Sequence, residues 1–226
     1  MLKELFQKRR TIKFQMPFVI ECAETYEKAA LKLTDKGAVG RKRPPQAEDY
    51  YGVHPDIVRF YQAFVYECDK RNISVKAYQF LRSEDEQNQL YVKGVTKAKA
   101  GQSPHQFGCA VDIIDRKKAW NLSRKQWEIM MSIGYEISRK KKIAVINGGD
   151  WGKPDQPVTF WDPAHWELKN WREYRQIINY CKKRKIQLSE DTKTRFMKLD
   201  YMIQVHKNPS KRNVKLDNEF DLGKAR

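Results

Sequence analysis

Closely spaced cysteines and long apolar runs are both missing from this sequence of 226 residues. The four cysteines at positions 22, 68, 109 and 181 show no C-x-x-C spacing, which excludes a zinc knuckle and argues against a disulfide framework. No stretch of about 18 apolar residues occurs, so we expect no transmembrane helix. The first residues also lack the apolar run of a secretory signal, so we expect synthesis in the cytoplasm.

Acidic residues are outnumbered by lysine and arginine, 28 to 45, and the formal net charge is +17. Such a charge attracts polyanions, which include nucleic acid, an acidic membrane surface and an anionic cell-wall polymer. The charge alone does not choose among them. Hydrophobic residues make up 40% of the chain, with six Trp, eleven Tyr and ten Phe, and this content indicates a folded globular protein.

Helix and strand patterns follow one another irregularly, which favours an α+β fold over a doubly wound sheet. The predicted elements are a helix near residues 20–35, a helix from Pro55, a strand over 74–81, a helix capped by Ser83, a strand over 109–114, a helix closing near Gly134, a short strand over 165–168 and an amphipathic helix over 170–185. We expect three regions: a basic N-terminal arm with a helix over 1–44, one domain over 45–182 and a basic C-terminal extension over 183–226. We also expect a monomer.

The stretch GQSPHQFGCAVDIID sets a histidine and an aspartate seven residues apart, with a glycine between them. His105 and Asp112 would lie about 10 Å apart along a helix and more than roughly 20 Å apart in a straight strand. Neither form lets both side chains reach one ion, whose bonds are roughly 2 Å long. They converge only if the chain turns between them, and Gly108 supplies the freedom for such a turn. The composition therefore favours a zinc site over an ordinary strand.

A second group of candidate ligands lies in the segment NGGDWGKPDQPVTFWDPAHWEL. His165 follows Asp162 by three residues, and Glu167 follows His165 by two. A catalytic zinc site has three protein ligands and an open position for water, with a carboxylate nearby to accept the proton of that water. His105, Asp112 and His165 would supply the ligands, and either Asp162 or Glu167 the base.

Three blocks of this sequence resemble, in the same order, motifs of the VanY/M15 zinc peptidases. The pattern S-x-H-x-x-G-x-A-x-D at 103–112 is similar to the zinc motif of the family, and YQFLRSEDEQNQLYVKG at 78–94 resembles the block that precedes it. GGDW at 148–151, followed by DPAHWEL at 162–168, most resembles the L-alanyl-D-glutamate endopeptidase branch, which includes phage endolysins. The resemblance covers roughly residues 50–170 and neither of the two basic extensions.

The resemblance implies a fold and a role for individual residues. The implied fold is a small antiparallel sheet flanked by helices, as in D-alanyl-D-alanine peptidases and the hedgehog signalling domain. The implied zinc ligands are His105, Asp112 and His165. Asp162 would be the general base in preference to Glu167, and Arg82 would hold a substrate carboxylate or polarise the scissile carbonyl. The implied residues for substrate contact and cleft shape are Ser103, Gln87 and Tyr91.

We therefore expect a zinc-dependent peptidase that hydrolyses the stem peptides of peptidoglycan, in the first place an L-alanyl-D-glutamate endopeptidase acting as a bacteriolytic phage lysin. Such an enzyme would reach the wall after holin-type release, and its positive charge would concentrate it on the anionic wall. The alternatives are a D-alanyl-D-alanine carboxypeptidase, a basic nucleic-acid-binding protein and a non-catalytic zinc domain. No helix-turn-helix, zinc-finger or RNP-type pattern is present, so we expect no stable nucleic-acid partner.

Overall fold

The computed structural model describes residues 50–152 and 160–219, so the predicted N-terminal arm and its helix lie outside the described residues. Within these ranges six α-helices and one four-stranded sheet form the predicted α+β fold. In chain order the elements are α1 (Pro55–Lys70), β1 (Val75–Gln79), α2 (Glu84–Val92), a 3₁₀ helix (Pro104–Phe107), β2 (Ala110–Asp115), α3 (Arg124–Lys141), β3 (Val145–Gly148), β4 (Asp162–Leu168), α4 (Trp171–Arg184), α5 (Thr192–Lys207), a second 3₁₀ helix (Pro209–Lys211) and α6 (Val214–Glu219). None of the helices in this described part of the chain has both the length and the apolar character needed to cross a lipid bilayer.

The sheet has the strand order β1-β2-β4-β3, and every neighbouring pair is antiparallel. In the central pair, β2 and β4, Asp112 lies opposite His165 and Val111 lies opposite Trp166. Because side chains alternate along a strand, these two pairs lie on opposite faces of the sheet. The face of Asp112 and His165 also carries Glu167, whereas the other face is apolar.

The apolar face is organised around the indole of Trp166, which is 1% exposed. Its ring contacts Phe60 and Phe64 of α1, with centroid separations of 5.0 and 6.0 Å, and Tyr135 of α3 at 5.2 Å. Helices α1 and α3 also pack against each other. The core between helices and sheet therefore lies directly behind the polar face of β4.

Two predicted helix starts are confirmed. Helix α1 begins at Pro55, whose missing N–H needs no partner in the first turn. Helix α2 is capped by Ser83, whose hydroxyl accepts the backbone N–H of Glu86 at 3.1 Å. The Glu86 carboxylate accepts the Ser83 backbone N–H in return at 2.8 Å, which completes a capping box.

The prediction that a helix closes near Gly134 is wrong. Helix α3 continues to Lys141 and is closed by Lys142, which adopts the left-handed conformation with φ 55°. Gly134 lies beneath the indole of Trp166, and a Cβ at this position would come within 2.2 Å of the ring. The glycine therefore serves close packing between helix and sheet, not helix termination. The sequence patterns also did not predict β3, a short strand at the edge of the sheet.

The described part of the segment after residue 183 packs into the core. Phe196 and Leu199 on α5 are 2% and 0% exposed and belong to the same apolar cluster as the sheet. Helix α5 contacts both α4 and α1. The division of the chain at 182 stays a prediction, but residues up to Ile203 contribute to the same core as the sheet and are not a solvated tail.

A series of hydrogen bonds between polar side chains connects α5 to the start of α1. The ring of His54 lies 2.9 Å from the Tyr174 hydroxyl, which donates to a carboxylate oxygen of Asp200 at 2.5 Å. Gly52 adds a backbone N–H that donates to the Thr192 hydroxyl at 2.9 Å. Burial lowers the pKa of His54, which keeps the ring neutral within this chain of hydrogen bonds.

We predict that Gly134→Ala destabilises the protein, although alanine is the better helix former by about 1 kcal/mol. The added methyl would press on an indole that is enclosed on all sides, and overpacking of this kind costs about 1–3 kcal/mol. Denaturant unfolding measures the change as a lower free energy of unfolding. Ser132→Ala, at an exposed position of the same helix, is the matched control and should be neutral or slightly stabilising. A gain in stability for Gly134→Ala would contradict the packing role.

Candidate metal centre and cleft

Three hydrogen-bond acceptors converge on one point above the polar face of the sheet. His105 Nε2 lies 3.1 Å from His165 Nδ1 and 3.2 Å from Asp112 Oδ1, and the latter two atoms are 3.0 Å apart. All three side chains are buried. They form the one group of metal-binding side chains of this kind found in the described residues. The structure therefore brings together the three predicted ligands.

The turn expected between His105 and Asp112 is made by the first 3₁₀ helix and Gly108. Gly108 adopts φ 68°, in the left-handed region, and ends the 3₁₀ helix. A Cβ at Gly108 would lie 2.1 Å from the carbonyl oxygen of Gly52, so the position also excludes a side chain for steric reasons. The Gly108 carbonyl accepts the backbone N–H of His54 at 2.8 Å, which fixes the turn to the start of α1.

The outer nitrogens of the two histidines determine which atoms face the centre. His105 Nδ1 lies 3.0 Å from the carbonyl oxygen of Phe80, which can only accept, so Nδ1 carries the proton. His165 Nε2 lies 3.2 Å from Glu167, whose other oxygen accepts the indole N–H of Trp171 at 3.1 Å. In its neutral form, each ring therefore presents a lone pair towards the carboxylate of Asp112, an arrangement that is typical of metal-binding histidines.

The electrostatics of the cluster favour a positive charge at its centre. Burial on its own would raise the pKa of Asp112, but the charge of His105 and hydrogen bonds to both histidines hold it well below its usual value. Burial on its own would lower the pKa of His165, yet hydrogen bonds to Asp112 and Glu167 raise it to about 9. Three converging acceptors repel one another unless a cation or a proton lies between them.

The spacing and the kind of the three converging atoms fit Zn²⁺. A tetrahedral zinc ion with bonds of about 2.0–2.1 Å separates its ligand atoms by about 3.3 Å. The three atoms here are separated by 3.0, 3.1 and 3.2 Å. Two imidazole nitrogens and one carboxylate oxygen are also ligands that zinc accepts. The three side chains line a cleft of about 1290 Å³, so a fourth position would open towards that cleft.

Asp162, the predicted base, lies at the first position of β4 and lines the same cleft. It pairs with Gly148, where a Cβ would lie 3.1 Å from that of Asp162 and 3.2 Å from that of His165. The missing side chain of Gly148 thus leaves room for both. Burial raises the pKa of Asp162 and outweighs the opposing charge of His165, so this carboxylate is a better proton acceptor than an exposed aspartate.

Arg82 lies beside the cluster and is held by two amide side chains. Its Nη2 is 3.5 Å from Asp112 Oδ2, its Nε donates to Gln79 at 2.8 Å and its Nη1 donates to Gln87 at 3.0 Å. Gln87 is fully buried and donates to the carbonyl of Ala98 at 2.7 Å. The structure thus places Gln87 behind Arg82, where it orients the guanidinium and has no free surface towards the cleft.

Of the other two residues predicted to contact the substrate or shape the cleft, one lines the cleft and one does not. Ser103 is buried and lines the cleft. Tyr91 does not line it; the ring is 39% exposed and lies beneath the ammonium of Lys99 at 5.5 Å. Trp151, which no site prediction included, lines the cleft and packs its indole on the ring of His165 at 4.9 Å.

A further supporting residue, Asn147, was missed by the sequence analysis. Its buried amide nitrogen donates to the carbonyl of His165 at 2.9 Å, and its amide oxygen accepts the N–H of Gly149 at 2.8 Å. The Asn147 backbone N–H donates to the Tyr135 hydroxyl at 3.0 Å, and that hydroxyl donates to Asp150. Asparagine before two glycines is typical of an ordinary turn, so the sequence carried no separate signal for this role.

We predict that Glu167→Ala weakens zinc binding by about 10- to 100-fold, because His165 would lose the acceptor that fixes its tautomer. Competition with a chromogenic chelator at fixed pH measures the affinity. Glu128→Ala removes a carboxylate on the outer surface of α3 and serves as the control, with unchanged affinity expected. Equal affinities for Glu167→Ala and the unmodified protein would show that Glu167 does not support the centre.

Comparison with known proteins gives a family match over the first part of this region. A family model described as VanY: D-alanyl-D-alanine carboxypeptidase matches residues 51–142. That range contains His105 and Asp112, and Asp162 and His165 follow it. A search of curated proteins gives no significant match.

Two solved structures are among those similar to this chain. The L-Ala D-Glu endopeptidase ChiX of Serratia marcescens is 24% identical, with a TM-score of 0.44, over 57% of this chain and 88% of that one. The LdcB LD-carboxypeptidase, whose structure describes peptidoglycan recognition, is 14% identical, with a TM-score of 0.38, over 65% of this chain and 72% of that one. The resemblance predicted from the motifs is confirmed by the family match: residues 51–142 carry the pattern of the VanY family.

Proposed function

We propose that this protein is a zinc-dependent peptidase that hydrolyses the stem peptides of peptidoglycan. The observation that carries the proposal is the convergence of His105, Asp112 and His165 within 3.2 Å at the wall of an open cleft. The VanY pattern of residues 51–142 supports the peptidoglycan substrate. Asp162 and Arg82 line the same cleft, so a proton acceptor and a fixed positive charge accompany the metal-binding group.

Each of these side chains has a task in hydrolysis. His105, Asp112 and His165 would hold Zn²⁺, which would supply Lewis-acid polarisation of the scissile carbonyl and lower the pKa of water. Asp162 accepts a proton from the attacking water and returns it to the leaving amine, a task suited to a carboxylate of raised pKa. Arg82 stabilises negative charge on the substrate, and Gln79 and Gln87 keep its guanidinium in place.

Between the two candidate bonds, the sequence blocks GGDW and DPAHWEL favour cleavage between L-alanine and D-glutamate over removal of a terminal D-alanine. The structure gives a physical reason for the first block. Gly148 makes room for Asp162 and His165, and Trp151 packs on the ligand ring. In this proposal the enzyme acts as a phage lysin, and its charge of +17 favours adsorption to the anionic wall.

The alternative of a non-catalytic zinc domain is less consistent with the site. A purely structural zinc ion is held by four protein ligands, whereas this cluster offers three and faces a cleft. A half-buried carboxylate in the same cleft, Asp162, has no structural need in such a domain. Nothing in the described residues favours nucleic-acid binding beyond the overall charge.

Digestion of purified peptidoglycan tests the proposal. We expect new L-alanine carboxyl and D-glutamate amino termini by mass spectrometry, and we expect a chelator to abolish them. Release of free D-alanine would instead show that the protein is a carboxypeptidase. Cleavage that persists after complete removal of metal would reject zinc dependence.

Asp162→Asn should lower kcat by about 10²- to 10⁴-fold, because the amide has nearly the same shape but cannot accept the proton. Zinc content, measured by elemental analysis, should stay at one ion per chain. Asp85→Asn, at an exposed position of α2, is the matched control and should keep full activity. Full activity of zinc-loaded Asp162→Asn would exclude this residue as the base.

A further inference from the structure

Two aromatic side chains at one end of the cleft have no part in the proposed chemistry. Tyr78 is the extra residue of a β-bulge in β1, since Ala77 pairs with Ile113 while Gln79 pairs with Asp112. Bulges of this kind redirect a side chain and are frequent beside active sites. The bulge lies directly opposite Asp112, and the Tyr78 ring is 58% exposed and lines the cleft.

Trp120 completes the pair. Its ring is 47% exposed and meets the Tyr78 ring edge to face, with centroids 4.6 Å apart and planes at 73°. The turn before it is held by Asp115, whose carboxylate accepts the backbone N–H groups of Lys117 and Lys118 at 2.8 and 2.7 Å. Trp120 therefore follows a hydrogen-bonded turn, and the two rings together form an aromatic surface in the wall of the cleft.

The chemistry of this surface suits a sugar ring better than the stem peptide. The stem peptide consists of small or charged residues, which offer little to an aromatic surface. The C–H groups of a pyranose ring are weakly positive and pack on the electron-rich face of an aromatic ring. The amide side chains of Gln79, Gln89 and Gln102 line the same cleft and can both donate to and accept from sugar hydroxyls.

The covalent structure of peptidoglycan places a sugar close to one of the two candidate bonds. In the L-alanyl-D-glutamate bond, only L-alanine and the lactyl group separate the scissile carbonyl from the muramic acid ring. These two units span roughly 7 Å. A terminal D-alanyl-D-alanine bond lies about five units, or roughly 17 Å, from the ring. A sugar-binding surface next to Asp112 therefore matches the endopeptidase reaction.

We propose that Tyr78 and Trp120 form a glycan subsite, which binds the muramic-acid-bearing sugar while the L-alanyl-D-glutamate bond lies at the metal centre. This inference rests on the proposed function for its substrate. It adds a recognition element outside the peptide and makes the enzyme selective for stem peptides that are still attached to the glycan.

The test compares a disaccharide-linked stem peptide with the same peptide lacking the sugar. We expect the unmodified enzyme to have a higher kcat/KM for the disaccharide-linked peptide than for the sugar-free peptide. The ratio of these two values measures the preference. Tyr78→Ala and Trp120→Ala should each reduce this ratio by about 3- to 10-fold, the effect of losing one aromatic contact. Trp120→Phe, which keeps an aromatic face, should restore most of it. A ratio that is the same in all variants would overturn the subsite.

Tyr66→Ala is the matched control for removal of an exposed ring. Tyr66 is 63% exposed on α1 and does not line the cleft, so the ratio should not change. Circular dichroism checks that each variant is folded.

Direct binding separates failure of the subsite from failure of the proposed function. Calorimetric titration with the peptide-free disaccharide of N-acetylglucosamine and N-acetylmuramic acid should show binding that Trp120→Ala weakens. A protein that binds this sugar but cuts no stem peptide would refute the proposed function and retain the subsite. A protein that cuts the sugar-free peptide equally well and does not bind the disaccharide would refute the subsite and retain the proposed function.

Discussion

The pairing of Asp112 with His165 across β2 and β4 is the constraint on which the rest of the site depends. A slip of one residue in either strand would turn the polar side chain of that strand to the apolar face, because the side-chain period of a strand is two. The same register sets Val111 opposite Trp166, whose indole is enclosed by α1 and α3. Burial of the core therefore keeps three mutually repelling acceptors within 3.2 Å of one another.

Around this pair, most side chains of the site are oriented by buried neighbours. Glu167 fixes the ring of His165, Gln87 fixes the guanidinium of Arg82, and Asn147 fixes the backbone at His165. Each of these three is buried and hydrogen-bonded. Because a catalytic group acts only from a well-defined position, this outer layer determines the geometry as much as the ligands do.

The sequence predicted the convergence of His105, Asp112 and His165 from the turn that the first two residues need and from the resemblance to the VanY/M15 motifs. His105 and Asp112 require a turn to share an ion, and Gly108 makes that turn with φ 68°. The supporting residues were not predictable in the same way, since Gln87 and Asn147 act through contacts between segments distant in sequence. Gly134 was misassigned for a related reason: a glycine in a helix pattern suggests an end, whereas here it admits the indole of Trp166. Helix α5, within a polar and basic stretch, likewise joins the core through Phe196 and Leu199.

The hydrogen bonds from His54 through Tyr174 to Asp200 limit which parts of the domain can be exchanged during evolution. His54 precedes α1 and also donates its backbone N–H to the carbonyl of Gly108, so these hydrogen bonds connect α5 with the turn between His105 and Asp112. Recombination between relatives at residue 182 would leave Tyr174 and His54 facing a foreign helix, with buried polar groups unpaired. The turn between His105 and Asp112 and helix α5 are therefore expected to diverge together, as a single unit of descent.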